Sequence, residues 1–196
     1  MMKKLKITGA CLILLGIIVI STAIGMRIWS SYKEKAMIND FQKTIEIEDK
    51  KPNKDKVIDT KPPSEQDGAI GILTIPKIDL KVAIGEGVDN SVLKYAVGHF
   101  KGTAMPGDKG NFCVAGHRSY TYSEYFNRLG EIKNGDIIYV QTQNGTYNYK
   151  VYNINVVTPD HVEVLKATQD ATMTLITCTP IRIATHRLII NAKLQK

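Results

Sequence analysis

Two apolar runs in the C-terminal half of the chain end on side chains that can attack a carbonyl or move a proton. NFCVAGH (111–117) ends on His117, and TMTLITC (172–178) ends on Cys178, with Thr179-Pro180 closing the run. A thiolate is the attacking species in cysteine catalysis, and an imidazole beside it can hold the proton balance and later protonate a leaving amine. The next apolar run opens on His186-Arg187. A guanidinium there would stabilise the oxyanion of a tetrahedral intermediate. The plainer reading is that a cysteine in a strand packs as a small hydrophobe. Spacing alone leaves both open.

Other uses of these side chains fail on distance. A zinc site built from Cys113, His117, Cys178 and His186 needs ligands within about 2.0–2.3 Å of one ion. Extended residues 113–117 separate Cys113 from His117 by roughly 13 Å. The same span argues against a Cys113–Cys178 disulfide if Cys178 lies beside His117, because bridged Cβ atoms sit about 3.8 Å apart. Cys11 falls in an apolar segment near the N-terminus. Cys113 is then expected in the core, and Cys178 is the free strand-end thiol. No metal or cofactor is expected.

These side chains need strands to hold them. Short runs rich in β-branched residues recur between turn signals over residues 68–196: GILTIPKI (71–78), LKVAI (80–84), NFCVAGH, DIIYVQT (136–142), TYNYKVYNINVV (146–157), TMTLITC and HRLIINAKL (186–194). Asn144-Gly145 marks a hairpin. Asp89 to Val97 reads as a short helix with Asp89 as N-cap and Gly98 as stop. Seven or eight strands with one or two helical turns predict a mainly β domain, a closed barrel or a sandwich.

The N-terminal third is organised differently. Residues 7–26 carry no charge, and at about 1.5 Å per residue they span roughly 30 Å, a bilayer's hydrocarbon core. Ser21-Thr22-Ala23 could serve as a signal-peptide cleavage site, but the apolar stretch continues through Ile28 and Trp29, which favours an uncleaved anchor. Lys3, Lys4 and Lys6 predict a cytoplasmic leader (1–6), a single-pass transmembrane anchor (7–29) held by membrane lipid, and everything after it outside the cytoplasm. Residues 30–67 are expected to be a linker. It begins helically, with Ala36, Ile38, Phe41, Ile45 and Ile47 forming a weak apolar stripe, and ends in a proline-containing spacer over 50–67.

The net charge of +7 is spread as +4 over residues 1–31, −1 over 32–67 and +4 over 68–196. With no arginine cluster or basic–aromatic interleaving, no nucleic-acid partner is expected. Hydrophobic residues at 43% and charged residues at 23% exclude wholesale disorder.

TLITCTP followed by THRL resembles the sortase signature, in which a TLxTC strand ends on the nucleophile and an arginine opens the next strand. GILTIPKIDLKVAI resembles the family's first two strands, GTAMPGDKGNFCVAGHRS its PG…GN…AGH segment, and FNRLGEIKNGDIIYV the stretch after the histidine. The matches run in family order over residues 69–194. The resemblance implies an eight-stranded sortase-type β-barrel over residues 68–196. It also implies a cysteine transpeptidase with Cys178 as nucleophile, His117 as general acid/base and Arg187 as the oxyanion or substrate clamp. Arg182, in the loop after Cys178, competes with Arg187 for that role. His99 and His161 are expected in helix or loop surroundings, and His186 beside the arginine as a strand-end surface residue.

The implied substrates are LPXTG-like sorting signals of surface proteins. The implied acceptor is a peptidoglycan-precursor amine, or a pilin lysine in polymerising members. Thr177 and Val164 are the expected substrate-binding residues, and the residues that choose the peptide are expected in the segment 158–171 and the loop 179–185. No second hydrophobic span is expected after residue 196, and no DPF- or DPW-like lid lies before residue 68, so a class D or class A sortase is expected. A cysteine peptidase using water as acceptor and a non-catalytic membrane-tethered β-scaffold are the alternatives.

Overall fold

A computed structural model of the chain describes residues 2–49, 68–118 and 125–195. The proline-containing spacer expected over 50–67 lies outside the described residues.

Residues 2–49 form one helix, α1 (Met2–Asp49). Its first half has apolar side chains with nothing packed on them: Leu12, Ile13, Leu14 and Leu15 are 59–69% exposed. Such a surface is stable only in an apolar medium, and the helix is long and apolar enough to cross a membrane. The helix does not stop where the expected span ends. It continues through the stripe that includes Ile38 and Phe41, and Phe41 is buried where α1 packs on β1 (Ala69–Ile75) and β2 (Leu80–Glu86).

The remaining elements are α2 (Asn90–Leu93), β3 (Val97–His99), β4 (Gly110–Ala115), β5 (Ile137–Thr142), β6 (Gly145–Val157), β7 (Ala171–Thr179) and β8 (His186–Leu194). The eight strands close into a barrel in the order β1-β2-β3-β4-β7-β8-β6-β5. Alternation along each strand sends one set of side chains inward. Leu73, Ile75, Val82, Ile84, Phe112, Val114, Met173, Leu175 and Ile190 make the continuous core.

Three sequence expectations change here. The run GILTIPKI is not all strand: β1 ends at Ile75, because Pro76 has no N–H to give a ladder and opens a 3-10 turn over Pro76–Ile78. Asp79 closes that turn at φ 53° with its N–H on the Pro76 carbonyl. The helix expected from Asp89 to Val97 is only Asn90–Leu93, and Asp89 holds its start through its backbone carbonyl rather than its side chain. Val97 to His99 instead pair in parallel with β2, Ile84 opposite Val97. Gly98 serves the pairing rather than a helix stop: a Cβ there would lie 2.2 Å from the Gly87 carbonyl oxygen.

His99 is therefore a buried strand residue, 2% exposed, and not a helix or loop histidine. Its Nδ1 meets Glu86 Oε2 at 2.8 Å, and its Nε2 meets Thr103 Oγ1 at 2.9 Å and the Ala104 carbonyl at 3.2 Å. The Thr103 hydroxyl donates to the Phe100 carbonyl at 2.8 Å, so both ring nitrogens face acceptors. This tie fastens β3 to β2 and to the start of the β3–β4 connection. His99→Ala is expected to lower the unfolding free energy by about 1–3 kcal/mol, read from urea unfolding of the detergent-solubilised chain. A loss within about 0.5 kcal/mol, ordinary for a surface change, would mean that the tie contributes nothing.

Candidate active site

β7 is hydrogen-bonded on both edges. It pairs in parallel with β4, Ala115 opposite Ile176, and antiparallel with β8, Cys178 opposite Arg187. Gly116 extends the first pairing, its N–H donating to the Ile176 carbonyl at 3.1 Å. Continued by one more residue, this parallel register would set His117 level with Cys178, at the spacing of about 4.8 Å between neighbouring strands. Residues opposite each other in a ladder share a face, so the Cys178 and Arg187 side chains leave β7 and β8 on the same, outer face of the sheet. His117, Cys178 and Arg187 are all half-buried.

Each is held by its own local structure. His117 lies two residues past the end of β4, and its carbonyl accepts the Phe126 N–H at 3.2 Å. The Phe126 ring covers Gly116, where a Cβ would approach the ring to 2.5 Å. Arg187 Nη1 donates to the Ala184 and His186 carbonyls, each at 3.1 Å. Arg182 sits in the β7–β8 loop at φ 70°, a left-handed position outside any strand.

Thr177 faces the other way. It is 2% exposed, and its hydroxyl donates to the Gly116 carbonyl at 2.7 Å, so it fastens the histidine segment from inside the barrel. Val164 belongs to the segment joining β6 to β7 and lines a groove of about 290 Å³ whose walls include none of Cys178, His117 and Arg187. Asn111, Thr174, Ile189 and Asn191 lie along the strands that form this groove, with Tyr152, Asn155 and Val157 on the β6 side. His161 is exposed, 3.6 Å from Glu163. His186 is exposed at the start of β8.

The sequence reading missed Arg118. Its Nη1 donates to Thr179 Oγ1 at 3.0 Å and to the Cys178 carbonyl at 3.4 Å, while its Nε donates to the Asn127 carbonyl at 3.4 Å. The residue after His117 thus grips the end of the strand that carries Cys178. Gly130 leaves it room, since a Cβ there would meet Arg118 Nη2 at 2.8 Å. The one available signal was an arginine directly beside the candidate histidine.

The two barrel cysteines differ in chemistry. Cys113 is fully buried on the outer face of β4, its thiol directed at the carbonyls of Asn111 (3.5 Å) and Val164 (4.0 Å). Burial pushes its thiol up to about 12, outweighing the polarity of the neighbouring Thr103 and Thr174 hydroxyls, which favours the thiolate. Cys178 is half-buried at the strand end, and among the described residues no disulfide joins any pair.

The sequence model of the sortase domain matches residues 73–195. Sortase A of Streptococcus agalactiae is 33% identical over 132 residues, covering 65% of this chain and 53% of that protein. The chain spans about half the length of the curated relatives it matches. Among solved structures, a lid mutant of Corynebacterium diphtheriae sortase A superposes with a TM-score of 0.63 at 34% identity, covering 65% of this chain and 70% of that one. A Clostridium perfringens sortase D5 transpeptidase superposes with a TM-score of 0.65 at 28% identity, covering 85% of this chain and 98% of that one.

The raised Cys113 pKa has a consequence for stability. Folding favours the neutral thiol, so the contribution is complete below the ordinary cysteine value of 9.0 and is lost as pH climbs towards about 12. The wild-type urea midpoint is expected to fall more steeply between these limits than that of Cys113→Val. Parallel curves would show that the buried thiol ionises as easily as an unfolded one.

Proposed function

Since this chain belongs to the sortase family, we propose that it is a membrane-anchored cysteine transpeptidase that cleaves an LPXTG-like sorting signal and joins the released carboxyl end to an amine. In this reading Cys178 is the nucleophile, His117 the general acid/base and Arg187 the oxyanion or substrate clamp. The observation that carries it is the double register of β7, with Cys178 opposite Arg187 on one side and His117 two residues past the last β4 pairing on the other.

The chemistry proceeds in two halves. The Cys178 thiolate adds to the threonine carbonyl of the Thr–Gly bond, and the negative charge passes to the carbonyl oxygen beside Arg187. The C–N bond breaks as His117 gives its proton to the glycine nitrogen, leaving a thioester on Cys178. An acceptor amine then attacks the thioester, His117 takes a proton from that amine, a new amide forms and the thiolate is regenerated. Arg187 suits the clamp better than Arg182 because a strand pre-places its charge, and oxyanion stabilisation rewards groups that need not move. Both Arg187 bonds come from Nη1, which leaves donors on Nε and Nη2 to offer substrate.

The groove walled by segment 158–170 and strands β4, β7 and β8 accounts for selection of the peptide, with Val164 on its wall and Thr177 acting only through the segment it fastens. The acceptor is a peptidoglycan-precursor amine or a pilin lysine, and the enzyme is of class D or class A type. Residues 7–29 cross the cell membrane once, with leader 1–6 in the cytoplasm and domain 68–196 outside. Protease added to intact protoplasts is expected to degrade that domain. A protected domain, or a mature N-terminus near residue 24, would contradict the anchored topology.

Activity is tested by incubating the full chain with an LPXTG-like peptide and a small amine and weighing the products. A peptide–amine adduct is expected. Cys178→Ala should give none, His117→Ala should lose most turnover, and Arg187→Ala should lose about 10²–10³ in rate. Arg187→Lys should rescue only in part, because the planar fork is gone. The rate should follow a bell in pH, since only the thiolate–imidazolium pattern is productive. Cleavage without adduct would make the protein a peptidase using water. No cleavage would make it a scaffold. An inactive Arg182→Ala beside a near-normal Arg187→Ala would reassign the clamp.

A further inference from the structure

We propose that Asn111 is a positioning residue that clamps segment 158–170 as the wall of the groove, and so sets how tightly the groove holds its peptide. The proposal rests on reading that groove as the peptide site.

Segment 158–170 has no strand partner. It contains one short 3-10 turn, Val162–Leu165, and much of its surface is exposed. Its internal bonds, such as His161 N–H to Thr158 and Lys166 N–H to Glu163, shape it but do not attach it. At its far end, Gly110 N–H donates to the Asp170 carbonyl at 3.2 Å, and Thr168 meets Thr172 at 2.8 Å. In its middle, among the described residues, the attachment to the sheet is the Asn111 amide. Nδ2 donates to the Val164 carbonyl at 2.9 Å and to the Lys166 carbonyl at 3.2 Å. The Cys113 thiol adds a weak contact with Val164 at 4.0 Å.

A chain of side chains across four strands fixes the orientation of that amide. Carbonyl oxygens only accept, so Asn111 must turn its NH₂ group towards the segment and its oxygen towards the sheet. There Oδ1 accepts from Thr174 Oγ1 at 2.7 Å. With its hydrogen committed, the Thr174 hydroxyl accepts from Asn191 Nδ2 at 3.0 Å. Asn191 Oδ1 in turn accepts from Asn153 Nδ2 at 3.1 Å. One direction of donation thus runs from β6 through β8 and β7 to β4 and out into the groove wall. Asn111 and Thr174 are 4% and 1% exposed, so water does not compete for their bonds.

Asn111→Asp separates the clamp from packing. The carboxylate keeps the shape and still accepts from Thr174, but it sets oxygen against two carbonyl oxygens. The wall should lift without a cavity being left behind. Cys113, buried beneath Val164, reports on the lifting independently of catalysis.

The test uses the full chain in detergent micelles. In a Cys178→Ala background, iodoacetamide labelling of Cys113 is followed by mass spectrometry of its peptide, in the presence and absence of Asn111→Asp. With Cys178 intact, KM and kcat are measured for an LPXTG-like peptide. Labelling and KM are each expected to rise about tenfold, with kcat within about threefold. Unchanged labelling overturns the proposal, and so does a fall in kcat with KM unmoved. Should Asn111→Asp fail to fold, Thr174→Val, which removes the hydroxyl that orients the amide, carries the test with the same outcomes. If the wild type processes no sorting peptide at all, the transpeptidase reading fails while the labelling still decides the clamp.

Discussion

A strand in the middle of a sheet has two edges, and on β7 the two are used in opposite senses. The β4 edge is parallel and brings the ends of both strands to the same side of the barrel. The β8 edge is antiparallel and folds the chain back at once, so that the residue opening β8 lies opposite the residue closing β7. A slip of one residue in either ladder would send its side chain to the other face. The positions of His117, Cys178 and Arg187 relative to one another therefore depend on hydrogen bonds made far along the strands, where Phe112, Met173, Leu175 and Ile190 pack.

The inward face of β7 secures that register, and the outward face uses it. Met173 and Leu175 bury apolar surface inside the barrel, and Thr177, next in the same series, binds the Gly116 carbonyl and so fixes the segment that leads to His117. Outward, Thr174 is nearly inaccessible yet polar. Its hydroxyl is tolerated because the Asn111 and Asn191 side chains use both its donor and its acceptor. Arg118 adds a third tie by binding the backbone of Cys178 from the residue beside His117. Backbone pairing, a buried hydroxyl and a guanidinium thus all join the same two segments.

The sequence made the β-branched runs legible, and with them β4, β5, β6, β7 and β8 to within a residue or two. Cys178, Arg187 and His117 could be picked out because chemically active side chains stood at the ends of those runs. Strand β3 was missed because Val97–His99 is too short to show alternation, and the helix that Asp89 does cap is four residues long rather than reaching Val97. The contact of buried His99 with half-exposed Glu86 was hidden with it. The Asn153–Asn191–Thr174–Asn111 chain was illegible for another reason: its partners are 17 to 63 residues apart and acquire meaning only once four strands lie side by side. Thr177 shows the limit of reading a motif without its pleat, since the residue beside a nucleophile in a strand faces the opposite way.

In the proposed reaction the end of β7 presents one thiol to a carbonyl carbon, while the other barrel thiol stays sealed beneath the β6–β7 segment. Acid quenching of the full chain during turnover of an LPXTG-like peptide, followed by proteolysis and tandem mass spectrometry, locates the acyl group directly. The account predicts a thioester on Cys178, lost on treatment with hydroxylamine, and an unmodified Cys113. An acyl group on Cys113, or peptide cleavage that proceeds at the wild-type rate in Cys178→Ala, would contradict it.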